Sequence, residues 1–148
     1  MKTNHEAPLV LACASASLRR AARAVTQLYD DALRGSDLRS TQFTLLQVLD
    51  RKGEMTQGEL GALLAIDSTT LTRTLGPLAN QGLLHPRRGK DRRERLWTIT
   101  AAGKKRLAGL APAWVAVQAR LREELSVPWD RLLTDLALVS GAASSVSR

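Results

Sequence analysis

Aromatic residues are scarce in this 148-residue chain: Tyr29, Phe43, Trp97, Trp114 and Trp129 make up 3% of it. Most of any core must therefore come from Leu, Val and Ala, the residues that helices tolerate best. Cysteine is scarcer still. Cys13 stands alone, which excludes an intramolecular disulfide and fits a reducing compartment. No apolar run approaches the roughly 18 to 20 residues that span a bilayer, and the N-terminus lacks the order of a secretory signal, so a cytoplasmic protein outside the membrane is expected. The only histidines are His5 and His85. Without paired-His spacing or a glycine-rich phosphate loop, nothing points to a catalytic centre, a metal or a cofactor, and the chain does not read as an enzyme. Acid is the minority charge. Fourteen Asp and Glu against 22 Lys and Arg leave a formal net charge of +8, which calls for a polyanionic partner, either nucleic acid or an anionic membrane surface.

What is present is helical periodicity. Over residues 9–33, Leu18, Ala21, Ala22, Val25, Leu28, Tyr29 and Ala32 recur at intervals of three and four with Arg19, Arg20 and Arg23 between them, a long amphipathic helix. Its apolar face is rich in Ala rather than in Trp, Phe or Leu, so membrane insertion would be weak. Gly35 can end it, and Ser40 or Thr41 can cap a second helix carrying Phe43, Leu46 and Leu49 up to Gly53. "TQGE" places Thr56 three residues before Glu59, the arrangement that opens a helix by reciprocal capping. A short third helix reaches about Ile66. Asp67 or Ser68 then caps a fourth with Leu71, Leu75 and Leu78 as its buried stripe and Gly82 as its stop. Two helices with so tight a junction form a helix-turn-helix candidate.

Beyond Gly82, "LLHPR" and "ERLWTIT" flank the polar "RGKD" and read as a two-stranded hairpin. Helical spacing returns in Leu107, Leu110, Trp114, Val117, Leu121 and Leu125, a coiled-coil-like seam with more apolar surface than a small core requires. A last helix carries Trp129, Leu132, Leu133, Leu136 and Val139. The fold class expected is mainly α with a small β-hairpin wing: an N-terminal helix in 1–36, a winged helix-turn-helix in 37–100 and C-terminal helices in 101–148.

Two segments suit a DNA duplex. Ser68, Thr69, Thr72 and Arg73 lie off the leucine stripe at the start of the fourth helix, short or hydrogen-bonding enough to enter a major groove about 12 Å wide. The same residue types also serve as caps and solvated surface. In the hairpin, residues 85–95 crowd six cations, Arg87, Arg88, Lys90, Arg92, Arg93 and Arg95, against Asp91 and Glu94. A charge run is usually solvated surface, but mutual repulsion at a turn invites a counter-charge, and duplex DNA offers one per roughly 1.7 Å. Asp91, two residues from Arg93, pairs with it most simply and stabilises the wing. That leaves Arg88, Lys90 and Arg92 for DNA, with Arg93 serving both roles.

From Thr56 to Lys105 the chain resembles the winged helix-turn-helix segment of the MarR family of bacterial transcriptional regulators. Leu71-Thr72-Arg73, "NQGLL" after Leu78, Asp91-Arg92-Arg93, and Ile99-Thr100 with Gly103 carry the likeness, and the framing helices match it. The resemblance implies a homodimer joined through the N- and C-terminal helices, binding double-stranded DNA at a palindromic operator, as a repressor. It also implies a small aromatic or anionic effector in a crevice between the dimerisation helices and the winged domain, where Tyr29, Phe43 and Trp114 with Arg23 are candidates; plain core packing is the alternative for the three rings. A redox-sensing branch of the family carries its thiol eight residues before the arginine that matches Arg23. That position is Ser15 here, and Cys13 lies about 200° further round the helix, so Cys13 reads as a small buried hydrophobe rather than as a sensor. A non-specific DNA-binding protein would use the same charge.

Overall fold

The computed structural model describes residues 10–91 and 93–146. Among the described residues six helices and three short strands follow in the order α1 (Ala14–Ala32), α2 (Ser40–Lys52), β1 (Met55–Thr56), α3 (Gln57–Leu64), α4 (Ser68–Asn80), β2 (Leu84–Arg88), β3 (Arg95–Ile99), α5 (Ala101–Glu124) and α6 (Trp129–Val146). The fold is mainly helical with a winged helix-turn-helix at its centre, as the periodicity suggested. The hairpin acquires a third strand. β1 pairs antiparallel with β3, Met55 opposite Trp97 and Thr56 opposite Leu96, in a sheet of order β1-β3-β2.

The ends of the helices follow local chemistry. Thr56 Oγ1 accepts from the Glu59 N–H at 3.1 Å, while Glu59 Oε2 accepts from the Thr56 N–H at 2.7 Å, so two open donors of α3 are satisfied reciprocally. Asp67, not Ser68, caps α4, accepting from the Thr70 N–H at 2.9 Å. At the other end of α4 the Gly82 N–H reaches the Ala79 carbonyl and the Leu83 N–H the Leu78 carbonyl, each at 2.9 Å, with Gly82 at φ +70°. This left-handed stop closes the helix and launches β2. Neither Ser40 nor Thr41 caps α2. Ser40 is its first residue, its N–H taken by Asp30 Oδ1 at 2.6 Å, and the Arg39 N–H is taken by Gln42 Oε1 at 2.9 Å.

One core holds these elements together. Phe43, Leu45, Leu46 and Leu49 of α2, Leu60 of α3, and Leu71, Leu75 and Leu78 of α4 are essentially without exposure, and Leu33, Leu38, Leu83, Leu84, Trp97 and Leu107 join them. The α5 seam therefore does not stand free as expected. Leu107 and Val117 are buried, and Leu110 and Trp114 pack on the core, because α1 and α2 both lie against α5. The surplus apolar surface lies on α6, which has no buried residue, and on α1, whose single buried residue is Tyr29. Cys13 also departs from expectation. It is exposed, one residue ahead of α1, where no second layer of the chain covers it. Among the described residues no helix is long and apolar enough to cross a membrane, and no three His, Cys, Asp or Glu side chains gather as metal ligands.

Four carboxylates that fasten this framework titrate below their ordinary range. The Asp30 carboxyl is raised by burial, but the Ser40 backbone N–H, the Ser40 hydroxyl and Arg39 outweigh that and hold it low. Arg87 lowers Glu54, the Thr56 N–H and hydroxyl lower Glu59, and the Thr70 hydroxyl and N–H lower Asp67. A carboxylate held lower in the folded chain than in the unfolded one stabilises the fold above its unfolded pKa and loses that contribution as pH falls through the folded value. Thermal melts at graded pH should therefore show a melting temperature insensitive to these groups above about pH 5 and falling below about pH 4. Asp30→Asn should flatten part of that fall; an identical acid limb in the variant would show that the Asp30 contact contributes nothing.

Candidate nucleic-acid interface

Strand alternation sorts the wing's cations onto two faces. Arg88 stands opposite Arg95 in the β2–β3 ladder, and Pro86 opposite Trp97, so Arg88 and Arg95 share the side of the sheet on which Trp97 enters the core. Past the edge of that core they line a groove of about 810 Å³. Its opposite wall is the helix-turn-helix, through Gln57, Gly58, Gly61 and Ala62 of α3, Ile66 of the turn and Ser68 of α4, and Arg93 and Glu94 complete the wing side. The Arg95 guanidinium lies over the Trp97 ring at 5.8 Å, a cation on an aromatic face. Arg87, opposite Leu96, falls on the other face. It forms a bidentate pair with Glu54, Nε to Oε2 at 2.5 Å and Nη2 to Oε1.

The wing loop, residues 89–94, is closed by its own main chain. The Gly89 N–H donates to the Glu94 carbonyl at 2.9 Å and the Glu94 N–H to the Asp91 carbonyl at 3.0 Å. Asp91 Oδ1 accepts from the Arg93 backbone N–H at 2.9 Å. The contact expected between Asp91 and Arg93 is therefore made to the main chain, as an Asx turn. Arg93 itself lines the groove. Lys90 and Arg88 are exposed. Arg92, the remaining wing residue assigned to DNA from the sequence, lies outside the described residues.

On α4, Ser68, Thr69, Thr72 and Arg73 are all exposed beside the buried Leu71, Leu75 and Leu78. The Thr72 hydroxyl is already engaged: it donates to the Ser68 carbonyl at 2.8 Å and accepts from Gln57 Nε2 at 2.8 Å. Its outward chemistry is thus largely its methyl group, the kind of contact that a thymine methyl favours. Gln57 and Arg95 were not singled out from the sequence. For Arg95 the signal was available, since it lies two residues before the inward-facing Trp97. Gln57 shows itself only through the approach of α3 to α4.

The residues considered for an effector site do not converge. Tyr29 and Trp114 are in ring contact, with centroids 4.3 Å apart, and Phe43 stacks on Trp114 at 4.3 Å. Tyr29 and Trp114 border a cavity of about 420 Å³ with Thr26, Thr44, Leu121, Trp129 and Leu136. Phe43 is fully buried behind Trp114 and does not line that cavity. Arg23 lies on another side of α1, in a shallow depression with Arg19, Asp30 and Arg39. Tyr29 lies six positions after Arg23, which turns their side chains about 120° apart on a helix.

The profile of the MarR family matches residues 36–94, which run from the middle of the α1–α2 connection through the wing loop. The M. tuberculosis transcriptional regulator MosR, solved in complex with DNA, is 37% identical, with a TM-score of 0.82 over 90% of this chain and 98% of that one. Another MosR structure superposes with a TM-score of 0.80 at 35% identity, over 90% of this chain and 97% of that one. A curated relative, the HTH-type transcriptional regulator YwoH of Bacillus subtilis, is 32% identical over 89 residues, 60% of this chain, and the match spans 65% of that relative's length.

Proposed function

From the premise that this chain belongs to the MarR family, and is a DNA-binding transcriptional regulator rather than an enzyme, we propose that it acts as a homodimeric repressor on a palindromic operator. The observation that carries this reading is the groove between α3–α4 and the wing, where Arg88, Arg93 and Arg95 face Ser68 across about 810 Å³. α4 enters the major groove by its N-terminal end, with Ser68, Thr69 and the Thr72 methyl towards base edges and Arg73 on a guanine or a phosphate. The wing follows the backbone with Arg88, Lys90, Arg92 and Arg93, while the Asx turn at Asp91 holds the loop in shape. One such module buries only about 600–1,000 Å² of protein surface on DNA, and two-fold repetition supplies the contacts of a tight specific site. The exposed faces of α1 and α6 offer surface for that second copy. In this reading residues 1–36 and 101–148 join the dimer and residues 37–100 read DNA.

Selection of bound sequences from a random DNA pool by the purified protein tests the proposal. A two-fold symmetric consensus is expected. Failure of any sequence to enrich over scrambled DNA would leave only non-specific binding. On the selected fragment, Lys90→Gln should weaken binding to specific and random DNA alike and reduce the slope of log affinity against log salt by about 0.9. Arg73→Ala should cost about 1–3 kcal/mol on the consensus and relax preference at one position per half-site. Equal loss of specific and random DNA on Arg73→Ala would reassign that arginine to phosphate.

For release, the cavity bordered by Tyr29 and Trp114 favours a small aromatic effector over an anionic one. Its volume suits a compact ligand, its walls are aromatic, aliphatic and hydroxyl-bearing with the one amide of Gln118, and among the described residues no cation lines it. A ligand there would press on α1, α2, α5 and α6 together and so change the separation of the two reading heads. Cys13 is exposed and is the one thiol of the chain, so a redox route would need the Cys13 of the second copy or an added thiol, whereas the cavity needs neither.

A further inference from the structure

The wing's base is tied to the far side of the sheet by a contact that the function described so far does not use. Arg87 leaves β2 on the face opposite Arg88, crosses β3, and meets Glu54 in the connection between α2 and β1, 33 residues earlier in the chain. Both guanidinium contacts converge on one carboxylate, Nε on Oε2 and Nη2 on Oε1. An exposed single-contact ion pair holds little, because its side chains retain their freedom and water screens them. A bidentate fork is different: it fixes direction as well as distance. The sheet needs such a tie. β1 contributes two residues, and the ladder rows Met55–Trp97 and Thr56–Leu96 alone bond it to β3. β1 also leads directly into α3, the helix that carries Gln57 towards Thr72. The pair therefore spans the whole width of the sheet, from the strand that carries the wing's Arg88 to the segment that places the helix-turn-helix.

We propose that Arg87 and Glu54 form a strut that sets the distance between the wing and α4, making both of them positioning residues for DNA rather than DNA contacts. This role presupposes that the groove receives DNA, as proposed above. The strut accounts for the one wing arginine that strand alternation turns away from the groove. It also separates two roles within one basic run: Arg88 and its groove-side neighbours meet phosphate, while Arg87 has its counter-charge inside the protein.

The sign of one substitution decides between strut and contact. Binding is measured on the fragment that the wild-type protein selects from random DNA, so an inability of wild type to select any fragment would count against the DNA reading before the strut is tested. Glu54→Gln removes a negative charge and frees Arg87. If Arg87 were a phosphate contact, that change would tighten binding. If the pair is a strut, Glu54→Gln and Arg87→Gln should each weaken binding by about fivefold, the double variant by no more than either alone, and the salt slope should stay within about half a unit of wild type. Hydrogen exchange supplies a readout without DNA. The Gly89 and Glu94 amides, which close the wing loop, should exchange several-fold faster in both single variants, and the exchanged pair Glu54→Arg with Arg87→Glu should restore protection. Tighter binding by Glu54→Gln, loss of a full unit of salt slope in Arg87→Gln alone, or unchanged affinity and exchange in both variants would each overturn the proposal.

Discussion

Leu136→Glu is expected to convert the protein to monomers and to lower its affinity for a selected palindromic fragment by at least about a hundredfold, or about 2.7 kcal/mol. α6 runs for 18 residues without burying one. Leu133 and Leu136 are 46% and 41% exposed, and Leu138, Val139 and Val146 are also open to solvent. Covering a Leu or Val side chain that is fully exposed gains about 1.5–3 kcal/mol, so several partly exposed ones give a second copy enough reason to dock, even after the cost of association. A carboxylate at the centre of that surface would have to be desolvated without a partner, at several kcal/mol in each subunit. Half-site contacts should survive in the monomer; what is lost is the linkage that makes the second half-site nearly free of further entropic cost. Sedimentation and anisotropy on one preparation check both halves of the expectation. Leu138→Glu, off the stripe that borders the cavity, serves as the comparison. If Leu136→Glu remains a dimer with unaltered affinity, the two copies join elsewhere and the open face of α6 has another use.

The reading units were legible in the sequence because they rest on local rules. The Thr56–Glu59 box, a cap at Asp67 or Ser68, the Leu71, Leu75 and Leu78 stripe and the Gly82 stop are decided within about four residues of one another, and each appears in the structure, with Asp67 taking the cap. What the sequence left open depends on which of two faces meets what. β1 was invisible because two residues show no alternation. The α5 seam read as apolar surface beyond what the core needs, although a 3–4 spacing states only that a stripe is buried and not by whom; α1 and α2 settled that by covering Leu107 and Val117. Arg23 and Tyr29 looked like neighbours on one helix, yet their separation in angle already placed them apart. Arg87 and Arg88 are adjacent and chemically identical, and only the ladder register sends one to Glu54 and the other to the groove. Charge was legible along the run 85–95; its division into two tasks was not.

That same run is anchored at a joint where the largest stability effect is expected. Gly103→Ala should destabilise the fold by about 3 kcal/mol and lower the melting temperature by roughly 6–12 °C. A Cβ at Gly103 would lie 2.3 Å from the Leu83 carbonyl oxygen and 2.7 Å from Ile99 Cγ1, distances that no relaxed side chain occupies. The carbonyl has little freedom to retreat, because it accepts the Thr100 N–H at 3.1 Å. Thr100 in turn donates its hydroxyl to the Gly82 carbonyl at 2.6 Å and accepts the Gly103 N–H at 3.0 Å. Gly82, Leu83, Thr100 and Gly103 are thus one knot in which the end of α4, the start of β2 and the start of α5 are tied. The Ile99-Thr100 and Gly103 pattern noted in the sequence is the trace of that knot: a cap whose hydroxyl must accept from its own helix and donate to the chain before β2, and a helix residue with no side chain so that a strand can pass. Gly109→Ala, in the same helix with nothing within 4 Å of its added carbon, should instead be neutral or stabilising by up to about 1 kcal/mol. Opposite signs from two Gly→Ala changes six residues apart would identify close approach, rather than helix propensity, as the cause. If Gly103→Ala melts within about 1 °C of wild type, the strand and helix have room to separate, and the wing is joined to α5 more loosely than these distances require.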